Sequence, residues 1–362
     1  GRVSACVDEL AAVLPSTEFT GTLLTRLRSA YHPGARMSDA FGRWLEFALG
    51  EFGLVVYDSS DPATKPLVRD LFAREVQFPS RTAELAAEAG RQLVGLGYHA
   101  QVDAHLDSLA LFSLDHGRVP IRVRDGRYEI GDRQFDMPSL VDTVRREPAR
   151  FSPNVLLRPL VQDTLFPTVA YVAGPNELAY LGQLKQVYAH FGIPMPLMCP
   201  RASATLIDSG AARFLKRYDI ALETLQAQDE SALNHLLASQ LPASVEQALQ
   251  EATADVDARM QRVIQAVPAI DPTLEGAARS TLGRMRHDLQ GLHTKIIHAA
   301  KKRDETLRRQ FTRAQAQAFP GGHAQERTVG YVYFLNRYGS ALVDRLMTDL
   351  PLTIGQHWVI TV

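Results

Sequence analysis

Polar side chains gather at the ends of two apolar runs in "RPLVQDTLFPTVAYVAGPNELAYLGQLKQVYAHFGIPMPLMCPR", residues 158–201. Arg158 and Arg201 carry the planar fork that clasps a carboxylate or phosphate through two N–H donors. Glu177 follows Gly174-Pro175-Asn176 and is a group able to take a proton from an amine. A helix starting there would offer unpaired N–H groups and a positive dipole end to an anion. Each residue also has a structural alternative. Asn176 and Glu177 can cap a helix, Arg158 can anchor the chain beside Pro159, and Arg201 can pair at the surface. Cys199, inside an apolar run, reads as a buried, inert thiol.

The elements that would position these groups form a strand–helix–strand unit. "TVAYVAG" reads as a buried strand, and Leu178, Leu181, Leu184, Tyr188 and Phe191 share one face of a helix. Gly192 suits the left-handed residue after that helix, Pro194 stops it, and "MPLMC" is the second strand. Short connections of this kind imply parallel strands and a right-handed crossover. Ligands of an open parallel sheet bind at the carboxyl ends of its strands. Three such ends are expected: Asp58 to Asp61 after "LVVYD", Gly174 to Glu177, and Arg201 with Ser203 and Thr205.

Around this unit the pattern changes twice. Ser38 is expected to cap a helix with Phe41, Leu45, Ala48 and Leu49 on its apolar face, and Asp61-Pro62 opens another helix. After a helix over 80–98, period-two alternation broken at His116-Gly117 and Asp125-Gly126 predicts antiparallel hairpins over about 100–136. Beyond residue 210 the chain is almost all helical. Val245, Leu249, Ala252, Val256, Met260, Val263 and Val267 form one near-heptad seam. Leu274, Ala278, Leu282, Met285, Leu289, Leu292 and Ile296 form a second, after "PAIDP". These predict an antiparallel coiled-coil arm. Its second helix would run about 70 Å if it continues to Ala318, at 1.5 Å per residue. "QHWVITV" is a closing strand that returns to a sheet.

Composition narrows the function. The chain has 362 residues, with 39 basic against 40 acidic side chains, so no basic excess marks a nucleic-acid binder. No apolar run reaches membrane-spanning length. Two cysteines, Cys6 and Cys199, make no disulfide framework or zinc pattern, which places the chain in a reducing cytoplasm. His105 and His116 are expected on solvated hairpins, and His287, His293 and His298 lack metal-pair spacing, so no metal site is expected. The basic run of Lys301, Lys302, Arg303, Arg308, Arg309 and Arg313 reads first as a solvated face, second as a phosphate grip. Glycine-rich phosphate loops and the nucleophile elbow are missing.

The stretch from Arg158 through "ASATLID", with "QERTVGYVYFLNRYG" at 325–339, resembles the bacillithiol biosynthesis cysteine-adding enzymes. "EFGLVVYDSSDP" and the terminal "QHWVITV" extend the likeness more weakly. The resemblance implies a Rossmann-like core, here partial, small inserted connecting elements and a helical coiled-coil arm. It implies a ligase joining L-cysteine through its carboxyl group to the amine of glucosaminyl malate, an adenine nucleotide (ATP or ADP), and a homodimer. By that likeness Arg158, Gln162, Asn176, Tyr180, Gln183, Arg201 and Ser203 are candidates for binding substrate. Glu177 and Asp163 are candidates for acting on the amine, and Tyr333, Asn336, Arg337 and Tyr338 for holding the nucleotide.

Two departures accompany the likeness. The chain opens on "GRVSACVDEL" without methionine and matches the carboxyl two-thirds of such enzymes, so part of the active site and independent activity are in question. Asn176 replaces a glycine expected there, and Asn is the residue that best tolerates left-handed backbone. The expected organisation is a core part over 1–99, an insertion over 100–137, the strand–helix–strand core over 138–210, the arm over 211–325 and a returning segment over 326–362. Two other readings stand beside the ligase: a non-catalytic helical scaffold, and another nucleotide-dependent carboxylate–amine ligase on the same core.

Overall fold

Among the described residues, nine strands divide among three separate sheets, two of them parallel pairs. The structure, a computed structural model, describes residues 2–240, 243–303, 305–351, 353 and 355–362, without the side chains of 2–4, 243, 298 and 300–303. The chain separates into two units. Arg26–Ala202 makes up most of the first; Glu9–Thr25, Ser203–Leu350 and His357–Val362 form the second.

In the first unit, β1 (Ser108–Ser113), β2 (Val119–Arg124), β3 (Arg127–Ile130), β4 (Arg133–Phe135) and β5 (Phe151–Pro153) build an antiparallel sheet in the order β4-β3-β2-β1-β5. The β2–β3 turn forms where Asp125 and Gly126 both take positive φ, 50° and 74°, the pair of left-handed residues a tight two-residue hairpin needs. Leu109, Leu111, Ile121 and Tyr128 bury into a core shared with Phe72 and Val76 of the Arg69–Gln77 helix and with Leu140 and Val144 of the Met137–Arg146 helix. The expected hairpins are therefore present, with β5 added from beyond the alternating stretch.

The strand–helix–strand unit is also present. β6 (Ala170–Ala173) pairs in parallel with β7 (Leu197–Pro200), Ala170 opposite Leu197 and Ala173 opposite Pro200. Three details differ from the sequence reading. The strands are not buried on both faces: Tyr171 and Ala173 point inward, while Val172 and Leu197 are 64% and 68% exposed. The connection is two helices, Pro175–Leu181 and Lys185–Phe191, broken at Gly182-Gln183-Leu184. Gln183 is fully buried there because its amide serves another segment: Oε1 accepts from the Val102 N–H at 2.9 Å, and Nε2 donates to the carbonyls of Val102 and Ala86 at 3.0 and 3.3 Å. Gly192 takes the left-handed conformation expected of it, φ 71°.

Residues 54–58 form no strand. Val55 is 85% exposed, and Asp58 folds back to accept from the N–H and hydroxyl of Ser60. The first of the three expected strand ends does not exist. Asp61 does cap the next segment, accepting from Ala63 N–H at 2.9 Å, but opens a 3-10 helix, Pro62–Val68. Ser38 lies inside the Met37–Leu49 helix, preceded by Arg36 as its boundary; Ala40 and Trp44 are its buried residues, and Phe41 is exposed.

In the second unit, β8 (Ser203–Ile207) pairs in parallel with β9 (His357–Thr361), so the closing strand does return to a sheet. Gln325, buried, extends this pairing with its side chain: Oε1 accepts from Leu206 N–H and Nε2 donates to Leu206 C=O, at 2.8 and 2.7 Å. Ile207, Phe214, Leu225, Leu237, Phe311 and Ala314 form a second core. The arm consists of Ala243–Ala266 and Leu274–Arg303, and the pairs Asp257–Arg286 and Glu246–His293 run in opposite order, as antiparallel helices require. Its seam shifts by one residue at two places. Ile264 is buried where Val263 was expected, and Thr253 is half-buried while Ala252 is exposed. Met285 and Leu292 are also exposed. Glu305–Ala318 is helical as well, and the expected continuation across residue 304 lies outside the described residues.

Candidate functional site

The carboxyl ends of β6 and β7 support a connected group of polar side chains. Arg158 opens the Arg158–Leu165 helix, where Pro159 takes the first turn at no hydrogen-bonding cost. Its Nη2 donates to the phenolic oxygens of Tyr171 and Tyr180, at 2.8 and 2.6 Å, and Nη1 donates to Gln162 Oε1 at 3.4 Å. Tyr171 in turn donates to Glu177 Oε1 at 3.2 Å, and Glu177 Oε2 accepts from the Gly174 N–H at 3.1 Å. Asp163 accepts from the Tyr188 hydroxyl at 2.5 Å.

Electrostatics in this group favour a fixed cation and neutral phenols. Burial works against the Arg158 charge, but the Tyr171 and Tyr180 oxygens together outweigh it and raise the guanidinium pKa. Burial pushes the Tyr171 phenol up to about 12, in spite of Arg158. Tyr188 is raised further, by burial and then by donating to Asp163. Arg158 is thus held by neutral oxygens, which leaves its positive charge available to an anion.

The sequence candidates divide accordingly. Arg158, Gln162, Tyr180, Glu177 and Asp163 lie in this group. Glu177 performs the capping alternative, since one oxygen closes the start of the Pro175–Leu181 helix and the other accepts from Tyr171. Asn176 is exposed and lies within that helix, with no left-handed backbone, so a glycine is not required there by φ. Arg201 directly follows β7, with its N–H on the Ala173 carbonyl at 2.9 Å and its side chain exposed. Gln183 does not join Tyr180; its amide is consumed by Val102 and Ala86. Ser203 belongs to the second unit, where it opens β8 and bonds to Glu326 and His357 at 3.1 and 2.7 Å.

A second site lies in the second unit. Tyr333, Phe334, Arg337 and Tyr338, with Arg313 and Gln317, line a cavity of about 520 Å³. Asp208 caps the Ser209–Tyr218 helix through Ala211 N–H and accepts from Gln317 at 2.8 Å, Arg313 at 2.6 Å and Arg337 at 3.0 Å. Burial opposes its charge, yet these donors hold it well below the usual carboxylate range. Two guanidinium groups against one carboxylate leave positive charge at the cavity, beside three aromatic rings. That combination fits a nucleotide, whose phosphates take the cations and whose base can stack. Arg313 was read as part of a basic run, first as a solvated face and second as a phosphate grip; the side chains of Lys301, Lys302 and Arg303 lie outside the described residues. Asn336 is not in this cavity. It is buried, donating to Pro15 C=O and accepting from the Thr20 hydroxyl, and so braces the fold.

Tyr171 and Tyr188 were missed as site residues. Both were read only as apolar positions, and nothing local distinguishes a packing tyrosine from one whose hydroxyl meets an arginine. Among the described residues, no three metal-ligating side chains gather.

Comparison with known proteins agrees with this division. Residues 2–202 match the family described as "Bacillithiol biosynthesis BshC, N-terminal Rossmann-like domain", and residues 204–362 match "Bacillithiol biosynthesis BshC, C-terminal coiled-coil domain". The chain belongs to the BshC family. The boundary between the two BshC matches falls at β8, although Glu9–Thr25, inside the first match, belongs to the second unit. Relatives named "Putative cysteine ligase BshC" include one from Salinibacter ruber, 34% identical over 98% of this chain and 65% of its own length. Another, from Koribacter versatilis, is 34% identical over 94% of this chain and 64% of its own length. A third, from Symbiobacterium thermophilum, is 32% identical over 98% and 66%. The chain therefore spans about two thirds of the length of these BshC relatives. No described helix is long and apolar enough to cross a membrane.

Proposed function

We propose that this BshC chain serves amide-bond formation between the carboxyl group of L-cysteine and the amine of glucosaminyl malate, in the cytoplasm. The observation that carries the reading is Arg158, fixed by two neutral phenols beside the carboxyl ends of two parallel strands. It is a preorganised clamp for a substrate carboxylate, and holding the reactants together supplies much of the rate of such a reaction. Tyr171 and Tyr180 set the direction of the guanidinium. Glu177 holds Tyr171 and the helix start, a positioning role. Asp163, held by Tyr188, presents its other oxygen beside Gln162 and is the carboxylate left for orienting the amine. Arg201 is a second anion contact at the end of β7.

Joining a free carboxylate to an amine is uphill in water, and an adenine nucleotide supplies the activation when bound. Arg313 and Arg337 would hold its phosphates, and Tyr333 and Tyr338 its base. The arm supports a homodimer through its exposed apolar residues Val263, Met285 and Leu292. The reading is tested by incubating the chain with L-cysteine, glucosaminyl malate and ATP and weighing the products. A new thiol of the amide mass is expected. Bound substrates with no product would favour the scaffold reading, and product with other amines would favour a ligase of different specificity.

A further inference from the structure

We propose that Lys65, Arg118 and Arg158 form a binding site for a small ligand carrying carboxylate or phosphate oxygens, with buried Lys65 as its central contact. The inference rests on the reading above only in sharing Arg158. These three residues line one cavity of about 450 Å³ in the first unit, with the hydroxyl-bearing Tyr57 and Ser59 at its wall. Among the described residues, none that lines it is acidic.

Lys65 is the anomaly. It lies in the 3-10 helix Pro62–Val68 and is only 7% exposed. Taking an ammonium out of water costs several kcal/mol unless a counter-charge meets it. Among the described residues, no carboxylate lies within ion-pair distance of Lys65; Asp58 acts on it only from further away. Burial accordingly lowers the Lys65 pKa. Asp58 is itself held by Ser60 and lies 3.8 Å from Arg36.

The other two cations are likewise free of acidic partners among the described residues. Arg158 donates to phenols and to Gln162. Arg118 donates to the Pro153 carbonyl at 2.9 Å and lies 4.2 Å above the Phe112 ring, contacts that fix its direction without neutralising it. Three cations around a space of this size, one of them buried, constitute an unbalanced positive site. An oxyanion with more than one charged oxygen restores the balance, because each cation can take a separate oxygen.

The test is calorimetric titration of the whole chain at neutral pH with L-malate and, separately, with inorganic phosphate. Wild type is expected to bind at least one of them. Lys65→Met should weaken that binding at least tenfold, and Lys65→Arg should keep most of it. Tighter binding of malate assigns the site to a carboxylate ligand, and tighter binding of phosphate assigns it to a phosphate ligand. Absence of binding of both to wild type would overturn the proposal. So would a Lys65→Met chain that melts higher yet binds as wild type does, since the lysine would then be only a packing cost. If Lys65→Met does not fold, Arg118→Ala gives the same comparison. Anion binding that depends on Lys65, without any ligation product, would count against the ligase reading alone. Product formation with anion binding insensitive to Lys65 would count against this inference alone.

Discussion

Asp208 shows how one carboxylate can organise a site without reacting. It caps a helix and holds Arg313 and Arg337 together, and those donors lower its pKa below the ordinary 3.8. A depressed carboxylate stabilises the fold fully above its unfolded value and loses that contribution as pH falls through its folded value. Stability measured by denaturant should therefore be level above about pH 4 and decline below it. Asp208→Asn should cost about 2 kcal/mol at pH 7, because partly buried Arg337 and exposed Arg313 lose their shared counter-charge, and should flatten the acid decline. At this scale the sequence was informative about residue type and poor about partners. Arg158, Glu177 and Tyr180 were identifiable from position, but Tyr171, which joins Arg158 to Glu177, was not. Lys65 gave no signal, because a lysine early in an expected helix is ordinarily on its solvent face and only the burial sets it apart.

Elements were legible where a period or a cap specifies them. The Asp125-Gly126 hairpin, the left-handed Gly192 and the parallel β6–β7 pair follow from local rules. The misreadings have physical causes. "LVVYD" has strand composition but pairs with no strand among the described residues, and its valines remain in solvent. The helix over 176–190 shows unbroken apolar spacing, yet breaks where Gln183 leaves the helical pattern of use and satisfies Val102. That assignment makes a prediction. Gln183→Ala would leave the N–H and carbonyl of half-buried Val102 without their partner and should lower stability by about 2 kcal/mol, read from the urea midpoint. Loss of substrate affinity with unchanged stability would instead return Gln183 to the binding site. In the arm, the one-residue shift from Val263 to Ile264 reflects the drift between a strict heptad and 3.6 residues per turn.

At the scale of the whole molecule, the two units carry two different candidate sites. The first carries the arginine–tyrosine group and the cationic cavity; the second carries the coiled-coil arm and the aromatic cavity around Arg313 and Arg337. The two-part organisation was legible because a sheet-forming sequence gives way to heptad seams. The exact division at Ser203 was not, because β8 pairs with β9, a strand more than 150 residues away, and no local feature announces that partner. The account as a whole turns on Arg158 as the clamp for a substrate carboxylate. Its most direct test is the affinity of glucosaminyl malate for the wild-type chain and for Arg158→Ala, measured by calorimetry, with circular dichroism confirming that the variant is folded. A loss of tenfold or more, about 1.4 kcal/mol, is predicted. Equal affinity of the two chains, or no binding by wild type, would contradict the account.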